Sequence, residues 1–513
     1  MRMASNDIAS FYADKNIFIT GGSGFVGICL LEKILRTIPN HGTIYLLLRP
    51  KKGKAIAERL EEIKSTQVFE ILLKDRSVEE AFAKVRAIAG DVGEDNLGLS
   101  IEDRKVITDN VNVIIHSAAT LDFGENLRTT VNTNVLGTRR VTELAKECPK
   151  LKVLVHVSSA YVNSYRLECE EIIYEKPCDA EELIAVVKKL DDKELEEKTP
   201  ELLGKHPNTY TITKHLAEHE VKAVEGLFPC TIVRPSMIVG AWKEPVPGWT
   251  ISKNGPQGFL MGAAKGVIRR LPVGRNLIYD YIPVDMVINN LLAAGFSAGT
   301  KQAKAVEVYH CTSSTRKPFS WMLIEDQING YLHEYPLKSA VWYPYLKFVP
   351  TITYYKISAF FVHILPAILL DFVTKLGGGR PILMKLHRNV NNSLDRLEKF
   401  IFTEWKYDAT KTMELHNSLS KSDQEKFNLD IAELTWIDYF RDLALGARVY
   451  LNKEPLKTLP AAKAKDNVLL LLHLAFQAGI FSLIWYGFAC AFGMKMSASI
   501  FVVPISYFIF SLL

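Results

Sequence analysis

The chain has 513 residues, enough for two to four domains at roughly 150 residues each. Of these, 48% are hydrophobic and 23% charged, a globular composition that excludes a disordered chain. A balance of 62 Lys+Arg against 57 Asp+Glu, and seven scattered cysteines without a C-x-x-C pair, exclude a nucleic-acid binder, a disulfide scaffold and a zinc module.

No apolar stretch of signal-peptide length precedes the first strand pattern, Asn16–Thr20 (NIFIT). GGSGFVG follows at once, and then the helical pattern ICLLEKILRTI. Strand, glycine turn and helix, in that order, give such a loop its meaning as a pyrophosphate cradle. Gly21 allows the tight turn, Gly24 lets backbone approach phosphate, and Gly27 lets the helix pack closely on the strand. The free N–H groups at the helix start face the phosphates. Thr20, Gly21, Ser23, Gly24, Phe25, Val26 and Gly27 are the expected cofactor loop. A second strand, Thr43–Leu48, ends in Arg49, 22 residues beyond Gly27, with Lys51 and Lys52 just after it. An acid at that strand end binds the ribose hydroxyls of NAD, whereas a base suits the 2′-phosphate of NADP, so the expected cofactor is NADPH.

Further strand patterns follow. Val85–Ala89 leads to Gly90, Asp91 and Val92, where Asp91 reads equally as an adenine contact or a turn residue. Val111–Ile115 ends in HSAAT, Val153–Val157 in SSAY and Thr231–Val233 in RPS. Strands alternating with helices, each ending in small or polar residues, predict an α/β fold with a doubly wound (Rossmann) parallel sheet and its ligand at the carboxyl edge.

Y-x-x-x-K occurs three times, as Tyr210/Lys214, Tyr343/Lys347 and Tyr407/Lys411. Only Tyr210/Lys214 falls between the SSA-ended strand and the strand leading to RPS, on a helical pattern (YTITKHLAEHEVKAVE). Spacing i, i+4 puts phenol and ammonium on one face. The cation is expected to lower the tyrosine pKa and prepare it for proton donation to an alkoxide. Ser159, at the sheet edge, supplies a second hydrogen bond to the same oxygen. Ser159, Tyr210 and Lys214 are the candidate catalytic residues, with Tyr210 and Lys214 also expected to touch the cofactor.

Between them, Arg166–Lys205 carries thirteen acids against seven bases in helical patterns. It reads either as a solvated face or as a substrate-side flap. Farther on, Ile357–Leu370 is apolar but only fourteen residues long, with Pro366 inside, which favours a core or interfacial helix over a span. From Asn467 to Met494 there is no Asp, Glu, Lys or Arg, and this run exceeds the ~20 apolar residues of a bilayer crossing. Lys453, Lys457, Lys463 and Lys465 precede it, which keeps the body of the chain cytosolic by the positive-inside rule. One span and a helical hairpin are both open for this tail. The expected organisation is a reductase domain over 11–340 with the insertion 166–205, a helical domain over 341–460, and a membrane anchor over 467–513.

SFYADKNIFITGGSGFVG, YLLLRPKKG, HSAATLDF, HVSSAYVN, HPNTYTITKHLAE, VRPSMIVGAWKEPVPGW and YIPVDMVINN run in order from about residue 11 to about 290. With the helical region and apolar tail behind them, the chain resembles the animal alcohol-forming fatty acyl-CoA reductases, extended members of the short-chain dehydrogenase superfamily. Ser23 and Ser159 stand where many relatives have threonine, and each keeps the hydroxyl. The resemblance implies a long-chain fatty acyl-CoA substrate, reduced through an aldehyde to a primary alcohol with two NADPH and release of CoA. It also makes Ser159, Tyr210 and Lys214 catalytic. The implied partner of the tail is a membrane, placed at the endoplasmic reticulum, with peroxisome and lipid droplet as alternatives. A membrane-bound sterol or sugar-nucleotide dehydrogenase, and a catalytically idle lipid-surface scaffold, are the competing readings.

Overall fold

A computed structural model describes residues 7–50 and 53–512, so Lys51 and Lys52 lie outside the described residues. The chain forms two compact units. The first comprises Met1–Ser252, Ile278–Phe319 and Glu404–Thr435; the second comprises Lys253–Leu277, Ser320–Thr403 and Trp436–Leu513.

In the first unit the apolar runs become strands buried on both faces, as parallel strands covered by helices must be, except at the edge strand Val85–Ala89, where Arg86 is exposed. They are β1 (Ile17–Thr20), β2 (Ile44–Leu48), β3 (Val85–Ala89), β4 (Val113–His116), β5 (Val153–Val157), β6 (Cys230–Pro235) and β7 (Glu307–Cys311). All pair in parallel, in the order β7-β6-β5-β4-β1-β2-β3. The strand order reverses between β1 and β4, and there the carboxyl ends of the strands leave the ligand crevice of a doubly wound sheet. Phe18, Ile114, Leu154 and Ile232 build one side of the core. The expected fold is present, and β7 is a strand that the sequence patterns leave unassigned.

Helix α1 (Phe25–Thr37) follows the glycine turn. The 166–205 insertion forms α2 (Ala180–Lys189) and α3 (Asp192–Leu203), capped by Asp179 and Asp191. The acids of α2 and α3 lie outward, whereas Glu171 is buried, and Leu183, Ile184, Val187 and Leu195 pack with Ile212 and Leu216 of α4 (Thr209–Lys222). The insertion is thus a packed layer on the helix that carries Tyr210.

In the second unit, the apolar pattern at 357–370 belongs to a longer helical stretch, α5 (Ile352–Leu376), with a π turn at Phe360–Ile364. Most of its apolar side chains are exposed, which excludes a core helix. Next come α6 (Leu383–Ile401), α7 (Leu459–Phe492) and α8 (Val502–Leu512). The last two pack as a hairpin, with Phe481 edge-on to Tyr507 and Phe510, and Phe488 against Phe501. Among the described residues, α5 and the helix containing α7 are each long and apolar enough to cross a membrane.

Candidate active site

The glycine turn opens at the carboxyl end of β1. Gly21 has φ +74°, and a Cβ there would lie 2.8 Å from the Ala118 nitrogen. At Gly27 a Cβ would stand 2.3 Å from the Gly21 carbonyl oxygen, so only glycine lets α1 come this close to the turn. Gly24 caps α1 without a side-chain bond, leaving the first N–H groups free for an anion. This cradle fits the pyrophosphate of a dinucleotide.

The other expected loop contacts differ in how they face. Thr20 is fully buried, and its hydroxyl bonds His116 Nδ1 at 2.7 Å and accepts from the Ala118 N–H at 3.2 Å. It holds β1 to the end of β4. Ser23 Oγ accepts from Arg59 Nη2 at 3.3 Å. Phe25 stacks on Trp249, ring centroids 5.6 Å apart, and Val26 is half-buried. Arg49 is exposed at the end of β2, with Nε 3.7 Å from Asp91 Oδ2. Asp91 also accepts from the Gly93 N–H at 2.9 Å, the turn contact, while the Val92 side chain is buried in the core and its carbonyl accepts from Arg140. Arg59, on the helix Ile56–Lys64, bonds the Arg49 carbonyl as well as Ser23. It brings a second guanidinium beside the glycine turn, which the sequence reading did not single out.

The candidate catalytic groups converge from β5 and α4. Asn208 caps α4 by accepting from the Thr211 N–H, which fixes the turn that carries Tyr210. Tyr210 is buried beside Phe123, ring centroids 5.4 Å apart, and shares a hydrogen bond with the Ser159 side chain. The neighbouring Ser158 points elsewhere, donating to Glu218 Oε1 at 2.5 Å, so the two serines of SSAY are told apart by direction. Lys214 Nζ donates to the Val157 carbonyl at 2.6 Å and lies 3.5 Å from His156 Nε2. The His116 and His156 rings lie behind it, centroids 5.2 Å apart and tilted by 40°. Tyr407 instead lies in a short strand and Tyr343 outside any helix, so neither reproduces the geometry of Tyr210 and Lys214.

Burial pushes the Tyr210 phenol up to about 12, with the Ser159 hydrogen bond pulling the other way. The expected lowering by Lys214 is therefore not what governs this phenol. It stays protonated near neutrality, as a proton donor must. Burial lowers Lys214 to about 8, opposed by Glu218. Burial also drives His116 down to about 3 and His156 well below the usual histidine range, with the Lys214 ammonium adding to both, so these rings are neutral.

The comparisons agree with one another. Two family models match, both described as male sterility protein: an NAD-binding model over residues 19–291 and the Sterile model over 362–454. The Drosophila melanogaster protein provisionally named fatty acyl-CoA reductase CG8306 is 52% identical over the whole of both chains. Fatty acyl-CoA reductase 1 of Rattus norvegicus is 36% identical over 98% of this chain and 97% of its own. The human protein of that name is 35% identical over the same shares. Among solved structures, the terminal R domain of the myxalamid biosynthetic pathway aligns with TM-score 0.55 at 18% identity, covering 88% of this chain and 94% of that one. A Mycobacterium tuberculosis reductase domain of a nonribosomal peptide synthetase aligns with TM-score 0.54, also at 18% identity, covering 87% and 97%. These two share the fold.

Proposed function

Because the chain belongs to the fatty acyl-CoA reductase family, we propose that it reduces a long-chain fatty acyl-CoA to the primary alcohol through an aldehyde, consuming two NADPH and releasing CoA. The observation that carries this is Tyr210 held protonated beside Ser159, with Lys214 one turn along the same helix and the glycine cradle in the same unit.

NADPH supplies the two hydride equivalents. The carbonyl oxygen of the thioester takes hydrogen bonds from Tyr210 and Ser159, which stabilise the negative charge that develops there. Collapse of that oxyanion expels the CoA thiolate and leaves the aldehyde at the same two donors. In the second reduction Tyr210 gives its proton to the alkoxide, and the alcohol leaves. Lys214, anchored on the Val157 carbonyl, offers its remaining N–H donors to the nicotinamide ribose. Val157 and His156 exclude water from the other side of the ammonium. Arg49 and Arg59 are the cations at hand for a 2′-phosphate, which is the ground for NADPH over NADH. Asp91, when the cofactor binds, is available to its adenine end.

The tail α7–α8 anchors the protein in a membrane with the first unit in the cytosol, since lysines precede the apolar run. The endoplasmic reticulum is the first candidate membrane, with peroxisome and lipid droplet as alternatives. Incubating membranes that bear the protein with a ladder of acyl-CoAs, and NADPH or NADH, tests the reading. Chain-length-dependent alcohol formed with NADPH is expected. Oxidation of a 3-hydroxysteroid supplied with NAD+ or NADP+, with no acyl-CoA reduction in the NADPH and NADH arms, would replace it with the sterol dehydrogenase reading.

A further inference from the structure

Helix α5 has two unlike faces. One is pinned to its own unit by polar bonds: His363 Nε2 accepts from the Arg269 and Arg270 N–H groups at 2.9 and 3.2 Å, Ser358 Oγ lies 3.2 Å from Arg270 Nε, and Tyr355 bonds Asn391 of α6. The other is an unbroken exposed apolar stripe of Ile357, Phe361, Leu365, Ile368, Phe372 and Leu376. No water-soluble surface keeps so long a stripe bare without a partner.

The tail fixes the level at which that stripe lies. Up to His473, α7 is bound to the second unit, where Trp342 Nε1 donates to His473 Nδ1 at 3.2 Å and Arg269 Nη2 is 3.4 Å from His473 Nε2. From Leu474 to Phe492 there are 19 residues, about 28 Å of helix, close to the thickness of a hydrocarbon core. The hairpin then returns, so that Leu512 meets the Tyr354 hydroxyl and, at 2.9 Å, Lys347 Nζ. His363 shares Arg269 with His473, which ties the middle of α5 to the level at which the tail leaves the protein. A helix with one face pinned by polar bonds to its own unit and the other bare and apolar has the character of an interfacial helix.

Beyond the stripe, Lys375, Arg380, Lys385 and Arg388 are exposed. The acid among them, Asp371, is turned onto the Ile382, Leu383 and Met384 N–H groups at the start of α6. We infer that α5 lies in the plane of the leaflet that the tail enters, with its apolar stripe among the acyl chains and this basic border on anionic headgroups. The inference rests on the tail being a membrane anchor. It adds a lipid surface that holds the second unit flat against the bilayer.

The test uses the full-length protein with Cys178→Ser and Cys490→Ser, which leaves only buried cysteines. Nitroxide labels at Ile357→Cys, Leu365→Cys or Phe372→Cys are read for depth by oxygen against a water-soluble nickel complex. The vesicles are phosphatidylcholine with phosphatidylserine. Equal, shallow depths at all three positions are expected, with reductase turnover unchanged. A crossing helix would spread the three over roughly 22 Å, at 1.5 Å per residue, and would overturn the inference. Ready access of the nickel complex to all three would also overturn it. A fourth label at Leu483→Cys reports the tail alone, so a failed anchor is distinguished from a failed in-plane contact.

Discussion

Glu218 accepts Arg234 Nε at 2.8 Å and Nη2 at 2.6 Å, and neither side chain is exposed. Glu218 lies one turn beyond Lys214 on α4 and accepts from the Ser158 hydroxyl, while Arg234, in β6, donates to the carbonyls of Glu170 and Ile172 in the insertion. The pair thereby fixes α4 to the strand end that carries Ser159. Arg234→Met should leave a buried carboxylate unpaired and cost about 3–5 kcal/mol. The measurement is the melting temperature, and a value within a degree of the parent would deny the pair this role.

Tyr210→Phe removes the proton donor and leaves the glycine cradle intact. Alcohol formation should fall by ~10²–10⁴ while NADPH still binds. Turnover and cofactor fluorescence titration read the two separately. Near-normal turnover would send the chemistry elsewhere.

The pH dependence follows from Lys214. Burial lowers it to about 8, so in the free enzyme the ammonium is present below that pH and lost above it. If the charged form binds the ribose, kcat/KM for NADPH should decline as pH rises through about 8. Glu218→Gln removes the carboxylate that opposes the lowering, and the declining limb should move to lower pH. A profile flat to pH 10 in both proteins would contradict this.

Arg49→Asp should erode the preference for NADPH, because a carboxylate repels the 2′-phosphate and accepts from a ribose hydroxyl. Arg59→Gln should act in the same direction with a smaller effect, since Arg59 also braces Ser23 and the Arg49 carbonyl. The NADPH/NADH ratio of kcat/KM decides. An unchanged ratio in both variants would leave Lys51 and Lys52 as the phosphate partners.

Ending the chain after Phe476 keeps the His473 contacts and removes the rest of α7 and the whole of α8. The shortened protein should come off membranes in alkaline carbonate while the full chain stays. Continued resistance would make α5 a spanning element.

The sheet is legible because parallel strands covered on both faces write themselves as continuous apolar runs, as at Ile17–Thr20 and Val153–Val157. Glu307–Cys311 escapes notice because Glu307 and His310 interrupt it, and its pairing with β6 exists only in three dimensions. Tyr210 and Lys214 are visible through their spacing. Arg59 is not, because an arginine in AERLEEI looks like any solvated helix residue until the fold lays it on Ser23. His156 is equally silent, its role being to fill the dry space beside Lys214. The stripe on α5 is obscured because Lys356, Asp371 and Lys375 break the hydropathy run, although the helix continues past them.

Helix α7 passes from its anchored half to its bare half without a joint: Gly479 and Gly487 lie within regular helix, and the left-handed cap comes only at Gly493. A rod of this kind has no slack. If this tail spans a bilayer, as proposed above, a hydrocarbon layer thinner than its bare length is met by tilting of the rod or by local thickening of the bilayer, and a tilt is passed on to the second unit. On that reading bilayer thickness is a mechanical input that a flexible linker would have absorbed.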